Sequence, residues 1–263
     1  MGGSCVDQPY KGGGGEGQDE RCGVAYGGSV SYRKMCRWYA GWFWWNEITA
    51  QFRWYWRVDP GIGFYCDMLE DPFESMQRRG ERFSFVITLS EYKNTVQGLW
   101  EATRGYVAKK AAEVVEVLAE DNSLAFLADD PEKGMQAELL THCHFWSNFE
   151  IGDMGFFRSD AYREYFEYLD KEGGFFYQRW GDAPVHSIAA ALFLRRDEIR
   201  WWGEVGYSHE PFGRCPWDEE SYTHGRCRCP YVGEKSFDRR GYSCLPRWWR
   251  VNGECAGRGW GGY

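Results

Sequence analysis

An α/β fold is expected for this chain of 263 residues, and three observations carry that expectation. Stretches with strand character alternate with stretches of helical period, the pattern of a sheet flanked by helices. Two helices in the second half have readable starts and stops. No internal repeat suggests a solenoid or propeller, and the length suits one large domain or two small ones.

Taken in order, residues 1–23 read as a Gly-rich disordered leader, too poor in apolar side chains to offset chain entropy. The stretch SVSYRKMCRWYAGWFWW is aromatic without a clear period and reads as a helix or a strand–helix passage. Phe52 to Val58 reads as a buried strand ending at Asp59-Pro60-Gly61. Phe83, Phe85, Ile87 and Leu89 alternate as in a half-buried strand. Ser90 or Thr95 can start a helix through Leu99, Trp100 and Thr103 to about Leu118, with Lys109 and Lys110 on a solvated face. A further helix is expected in AEDNSLAFLADD, with Asn122 or Asp121 near its cap, and Pro131 to Leu140 reads as a surface loop.

Ser159 is a good N-cap for a helix from Asp160 toward Glu172, whose Tyr162, Tyr165, Phe166 and Leu169 share one face. Gly173-Gly174 ends it, because glycine takes the left-handed C′ conformation cheaply. The run GGFFYQRWGD reads as a strand leading to a pocket rim. Asp182 is placed to N-cap the next helix, with Pro184 in its first turn and Val185, Ile188, Ala189 and Leu192 as its buried stripe. His186 and Ser187 fall off that stripe. Ile199 to Tyr207 reads as a strand or turn leading to His209, the tail from Arg214 as loop, and residues 256–263 as disordered.

Composition narrows function. Aromatic residues make up 19%, including 15 Trp, which serve packing and also sugar stacking. A net charge of −8 argues against nucleic acid, which requires a basic surface. No apolar run approaches the ~20 residues of a membrane span, and no signal-peptide pattern opens the chain. Ten Cys is many for a cytosolic protein. Cys215, Cys227, Cys229, Cys244 and Cys255 crowd the end of the chain, and disulfides in an oxidising lumen suit them better than a metal, because Cys227-x-Cys229 is too closely spaced for a zinc pair. Cys36, Cys66 and Cys143 lie near apolar residues and read as buried thiols.

The chemistry centres on His144 to Ser187. Glu150 lies among Phe145, Trp146 and Phe149, a setting that suits an acid, base or nucleophile. The competing reading is a structural carboxylate paired with Arg158 or Arg179. Asp59, at the carboxyl end of a strand, stands where α/β sheets place ligands; as a turn acid before Pro60 it would be purely structural.

The runs CHFWSNFEIGD, AYREYFEYLDK, RWGDAPVHSIAAALFL and VGYSHEPF together resemble the fungal Golgi α-1,2-mannosyltransferases of the KTR type (glycosyltransferase family 15). The resemblance is dense over Cys143 to Pro216 and covers roughly Val24 to Trp249. It implies a GT-A-like mixed sheet flanked by helices, forming a catalytic domain over 24–255, and an absent anchor and first part of that domain. It implies a retaining transfer of mannose from GDP-mannose to mannosides of N- or O-linked glycans or mannolipids, in the Golgi lumen, with Mn²⁺ as cofactor. Glu150 is then the catalytic carboxylate, Asp59 and His209 the metal ligands, and Tyr32, Arg57 and Asp182 substrate-binding residues. The family carries Glu where this chain has Asp59, leaving the carboxylate about 1.5 Å shorter in reach, and often an acid where it has Gly61. The alternative is a non-catalytic carbohydrate-binding or assembly protein derived from such an enzyme.

Overall fold

The computed structural model describes residues 24–113 and 116–253; the leader, the tail and Cys255 lie outside them. The helices are α1 (Val30–Ala40), α2 (Glu47–Ala50), α3 (Pro72–Arg79), α4 (Leu99–Ala112), α5 (Leu124–Leu127), α6 (Met154–Phe157), α7 (Asp160–Glu172), α8 (Gly174–Tyr177), α9 (Asp182–Phe193), α10 (Glu219–His224) and α11 (Leu245–Asn252). The strands are β1 (Trp54–Val58), β2 (Gly63–Phe64), β3 (Phe83–Phe85), β4 (Thr88–Ser90), β5 (Cys143–Phe145), β6 (Phe149–Asp153), β7 (Ile199–Trp201), β8 (Tyr207–His209) and β9 (Phe212–Arg214).

The main sheet has the order β1-β6-β3-β7 and is mixed, with only β3 and β7 parallel. A three-stranded sheet β2-β8-β9 and the pair β4-β5 complete the strands. Register sorts the side chains by the two-residue period of a strand. Phe83 and Phe85 lie opposite Gly152 and Glu150 and face a large core shared with α7, α9 and α11. Phe149 and Ile151 point to the other face, into a second core with Met76, Ile87 and Tyr207. Both faces are covered, so Phe83 to Leu89 is buried throughout and not half-buried, and it divides into β3 and β4. β1, expected as a buried strand, is instead an edge strand whose residues keep partial exposure.

Local chemistry sets the helix ends. Ser159 Oγ accepts from Tyr162 N and Gly173 takes φ 75°, so α7 starts and stops where its capping residues stand. At α9 the N-cap is Gly181, and Asp182 is the first helical residue, its carboxylate turned to other partners. α9 is buried all round from Asp182 to Leu192, including His186 and Ser187. The segment from Gly173 to Asp182, expected as a strand, instead forms the short helix α8 and a loop and pairs with no sheet. α4 stops at Ala112 and not near Leu118. The tail is not loop-like: α11 buries Leu245, Trp248 and Trp249 in the main core, and Arg214 is fully buried against Asp238 at 2.8 Å.

Among the described residues, three disulfides join Cys66 to Cys227, Cys143 to Cys244 and Cys215 to Cys229, and Cys36 is a buried free thiol. Cys66 and Cys143 are therefore bonded and not buried thiols; their partners lie 161 and 101 residues away, beyond anything local spacing reveals. Non-reducing peptide mapping is expected to return these three pairs with Cys36 alkylatable only after unfolding. Replacing Cys143 and Cys244 together by serine should cost about 2–4 kcal/mol, because the bond constrains a long loop in the unfolded chain; an unchanged unfolding midpoint would contradict the pairing.

Candidate active site

The register of β1 against β6 places Arg57 opposite Glu150, on the face that meets α9. Arg57 forks between two acids. Its Nε donates to Asp59 Oδ1 at 2.9 Å and its Nη1 to Asp182 Oδ2 at 2.5 Å. The guanidinium also lies 4.3 Å from the centre of the Tyr39 ring. Burial works against the charge on Arg57, but Asp182 and Asp59 outweigh it and raise its pKa. Burial likewise opposes ionisation of Asp182, yet Arg57, His186 and the Ser147 hydroxyl, which donates at 3.0 Å, hold its carboxyl below the usual range.

Glu150 is 1% exposed. Its carboxylate accepts from the Tyr55 hydroxyl and lies 2.9 and 3.1 Å from His186 Nδ1. Tyr55 reaches it diagonally across the β1–β6 pair, and Gly152 makes this possible: a Cβ there would stand 2.6 Å from the Tyr55 ring. Burial and the neighbouring carboxylate keep the Tyr55 phenol protonated, well above its ordinary pKa. The partners of Glu150 are thus Tyr55 and His186. Arg158, one expected partner, instead donates to the carbonyls of Trp44, Thr49 and Phe52, and Arg179, the other, forms no ion pair among the described residues.

His186 lies four residues after Asp182, so both leave one face of α9. Its Nε2 is 3.0 Å from the carbonyl of Tyr39, in the last turn of α1, where carbonyls have no helical partner. Facing a carbonyl on one side and a carboxylate on the other, the ring carries both protons, and the negative end of α1 favours that cation. Burial opposes the charge, but Glu150, Asp182 and the Tyr39 carbonyl outweigh it and raise the pKa of His186.

The turn 146–148 connects these groups to β8. Asp59 N donates to Asn148 O at 3.2 Å, and Asn148 Oδ1 accepts from the Tyr207 hydroxyl at 2.8 Å. His209, two residues beyond Tyr207, sets its ring edge-on to Trp146 at 5.2 Å. Asp59 and His209 therefore flank one turn. His209 Nδ1 is 3.1 Å from the Glu210 carbonyl. Tyr32, on α1, stacks on Tyr26 at 4.4 Å and neighbours Asp182 electrostatically. The structure unites Arg57, Asp59 and Asp182 by direct bonds and brings Glu150, Tyr32 and His209 to their periphery. A cavity of about 680 Å³ beside β7 is lined by Arg79, Glu81, Arg196, Arg200 and Glu204 among others, and none of the candidate residues borders it.

Sequence reasoning missed Tyr55, Ser147 and His186. The Asp182–His186 spacing was a usable signal, as was an imidazole inside an otherwise apolar helix. Nothing local marked Tyr55 or Ser147.

Residues 17–253 match the family model described as glycolipid 2-alpha-mannosyltransferase. The chain belongs to this family. It is 46% identical over 240 residues to glycolipid 2-alpha-mannosyltransferase 1 of Candida albicans, an alignment that covers 91% of this chain and 53% of the relative. It is 47% identical over 234 residues to the probable mannosyltransferase YUR1 of Saccharomyces cerevisiae, covering 87% of this chain and 54% of that protein. Among solved structures, core-mannan synthase A (CmsA/Ktr4) of Aspergillus fumigatus in a Mn/GDP form superposes with a TM-score of 0.73 at 34% identity, over 88% of this chain and 61% of that one. The mannosyltransferase Ktr4p of S. cerevisiae in complex with GDP gives 0.77 at 31% identity, over 87% and 58%. The chain thus spans about half the length of the curated relatives it matches. The α/β, GT-A-like fold expected from the family's motifs agrees with these neighbours.

Because the folded pKa of His186 is raised above the ordinary value near 6.5, its stabilising contribution is complete below about pH 6.5 and is lost as pH rises through the folded value. His186→Asn is expected to flatten the alkaline limb of the melting-temperature profile and to cost about 3–5 kcal/mol at pH 6, the scale of breaking a buried pair. Calorimetric scans from pH 5 to 9 check this; parallel profiles for both proteins would show that the imidazole does not titrate with folding.

Proposed function

We propose that this protein is a retaining α-1,2-mannosyltransferase that moves mannose from GDP-mannose to a mannoside of N- or O-linked glycans or mannolipids. Family membership supports the reaction class. The observation that carries the reading to residues is that Asp59 and His209 each contact the turn 146–148, Asp59 being bonded to Arg57, which also holds Asp182.

A divalent ion fits this pair in a particular way. Among the described residues no group of three His, Cys, Asp or Glu forms a protein-only cage. One carboxylate and one imidazole suit an ion that takes its remaining ligands from a diphosphate and water. Asp59 and His209 would hold it, as Mn²⁺, the ion in the Mn/GDP form of core-mannan synthase A. When bound, such an ion stabilises charge on the departing diphosphate. Arg57 is placed to add a fixed positive charge beside the same group. Asp182, ionised between Arg57 and Ser147, is placed to accept from sugar hydroxyls. Glu150 is proposed to stabilise or trap the oxocarbenium-like anomeric carbon, as one carboxylate does in retaining glycosidases. His186 and Tyr55 keep that carboxylate oriented. An oxidising lumen such as the Golgi suits three disulfides, which a reducing cytosol would not maintain.

GDP is expected to bind only with Mn²⁺ present, since an acidic chain otherwise repels the diphosphate. Asp59→Glu, which restores the family's longer side chain, should tighten that binding. Titration calorimetry with and without EDTA decides, and equal affinity in both would remove the metal role from Asp59 and His209. Glu150→Gln should leave GDP binding nearly unchanged while transfer falls at least about a hundredfold. It should also lower the melting temperature, because His186 loses its partner. Full activity in a destabilised variant would assign Glu150 to structure alone, and mannoside binding without any transfer would favour the carbohydrate-binding alternative.

A further inference from the structure

At the edge of the main sheet opposite β1, strand β7 borders two cavities that the reaction described above does not use. The larger is the one of about 680 Å³ already described. The smaller, of about 200 Å³, lies between the segment that follows β2, helix α3 and the segment that follows β7. Both are bordered by Arg79, Arg200 and Glu204, so they form one groove, and none of the candidate active-site residues lines it. Trp202 is 3% exposed and lines the smaller cavity, yet among the described residues its Nε1–H has no acceptor. A buried donor left unpaired is costly and rare. One face of its ring is already covered, by the Arg200 guanidinium 3.7 Å from the ring centre.

The rest of the lining specifies the ligand. Arg200 donates to Glu204 at 2.6 Å and to Glu81 at 3.2 Å, and Arg196 pairs with Asp121 at 3.1 Å. Carboxylates neutralised in this way keep lone pairs to accept with, and a guanidinium has five N–H groups to share. The groove therefore offers donors and acceptors side by side. Arg79 and Gly253 mark the C-terminal ends of α3 and α11, where carbonyls carry partial negative charge. A phosphate can only accept, and these carboxylates and helix ends repel it. A metal ion would have to displace the arginines that already hold the acids. Sugar hydroxyls both donate and accept, and the C–H faces of a pyranose suit Trp201 in the larger cavity and Met68, Leu69 and Val205 in the smaller. The volume is that of a small-molecule site and suits a short oligosaccharide.

We propose that this groove is a second carbohydrate site that holds an oligomannoside arm away from the reaction centre, with Trp202 Nε1 donating to a sugar oxygen and Arg200 and Glu204 bonding to hydroxyls where the two cavities meet. The choice of mannoside rests on the mannosyltransferase reading. Three strand spacings, about 14 Å, separate β7 from β1, so a single sugar does not reach both sites, whereas a polymer held at one has a raised effective concentration at the other. The test follows the indole ¹H–¹⁵N resonance of Trp202, assigned as the one missing from Trp202→Phe. In the wild type it should shift on adding α-1,2-linked mannotriose and not on adding GDP with Mg²⁺. In Glu204→Ala, a substitution at an exposed position, the mannotriose midpoint should rise at least about tenfold, the scale of losing a charge-assisted hydrogen bond. Transfer to methyl α-mannopyranoside by that variant should stay within about twofold of wild type, while its KM for a mannan polymer rises at least about fivefold. An indole that ignores mannotriose, or that answers equally to glycerol, overturns the assignment, as does an unchanged midpoint in Glu204→Ala. Active transfer with a silent indole would remove this site and keep the mannosyltransferase reading. A responsive indole in a protein that transfers nothing would do the reverse.

Discussion

The buried pair of Glu150 and His186 is the contact on which the centre of this molecule depends. It joins the main sheet to α9 through a carboxylate and an imidazole that are each 1% exposed. The second imidazole nitrogen joins α9 to the end of α1 at Tyr39. Three elements far apart in sequence are thereby fixed inside a core otherwise built from aromatic rings. Such a pair is weak as a source of net stability, since its desolvation offsets much of its attraction. It is strong as a constraint, because misplacing any one of the three elements leaves a charge buried alone.

The same constraint shapes the candidate site. With α9 held against the sheet, Asp182 at its first turn meets Arg57 from the edge strand β1, and Arg57 in turn holds Asp59. The hydroxyl of Ser147 completes the donor set around Asp182 and fixes the turn that also touches the Asp59 backbone and the His209 ring. An orienting network of this kind keeps charged groups in one arrangement before a ligand arrives, which is how electrostatic stabilisation is made effective.

The disulfides act on the periphery of this arrangement. Cys143–Cys244 ties β5 to α11, and Cys66–Cys227 ties the segment after β2 to the region after α10. They secure the short sheets and the aromatic tail, where few long elements contribute burial.

The sequence by itself determined α7, through a Ser cap, a stripe of three aromatics and a leucine, and a terminal Gly pair, all signals that act within one or two turns. It determined that Phe52 to Val58 extends toward Asp59, and it placed Glu150, Asp182 and His209 in recognisable motifs. It misread the segment from Gly173 to Asp182 as a strand, because aromatic and glycine content does not by itself separate a strand from a loop or a single helical turn. It took His186 for a residue off the buried stripe, because helical period marks one face and cannot show that α9 is enclosed on all sides. It left Cys66 and Cys143 as thiols, since disulfide partners are set by spatial approach and not by spacing. The tertiary structure alone decided that Glu150 pairs with His186 and Tyr55, not with an arginine. That choice comes from strand register and from the room Gly152 leaves for the Tyr55 ring, and register is a property of paired strands that a single segment does not contain.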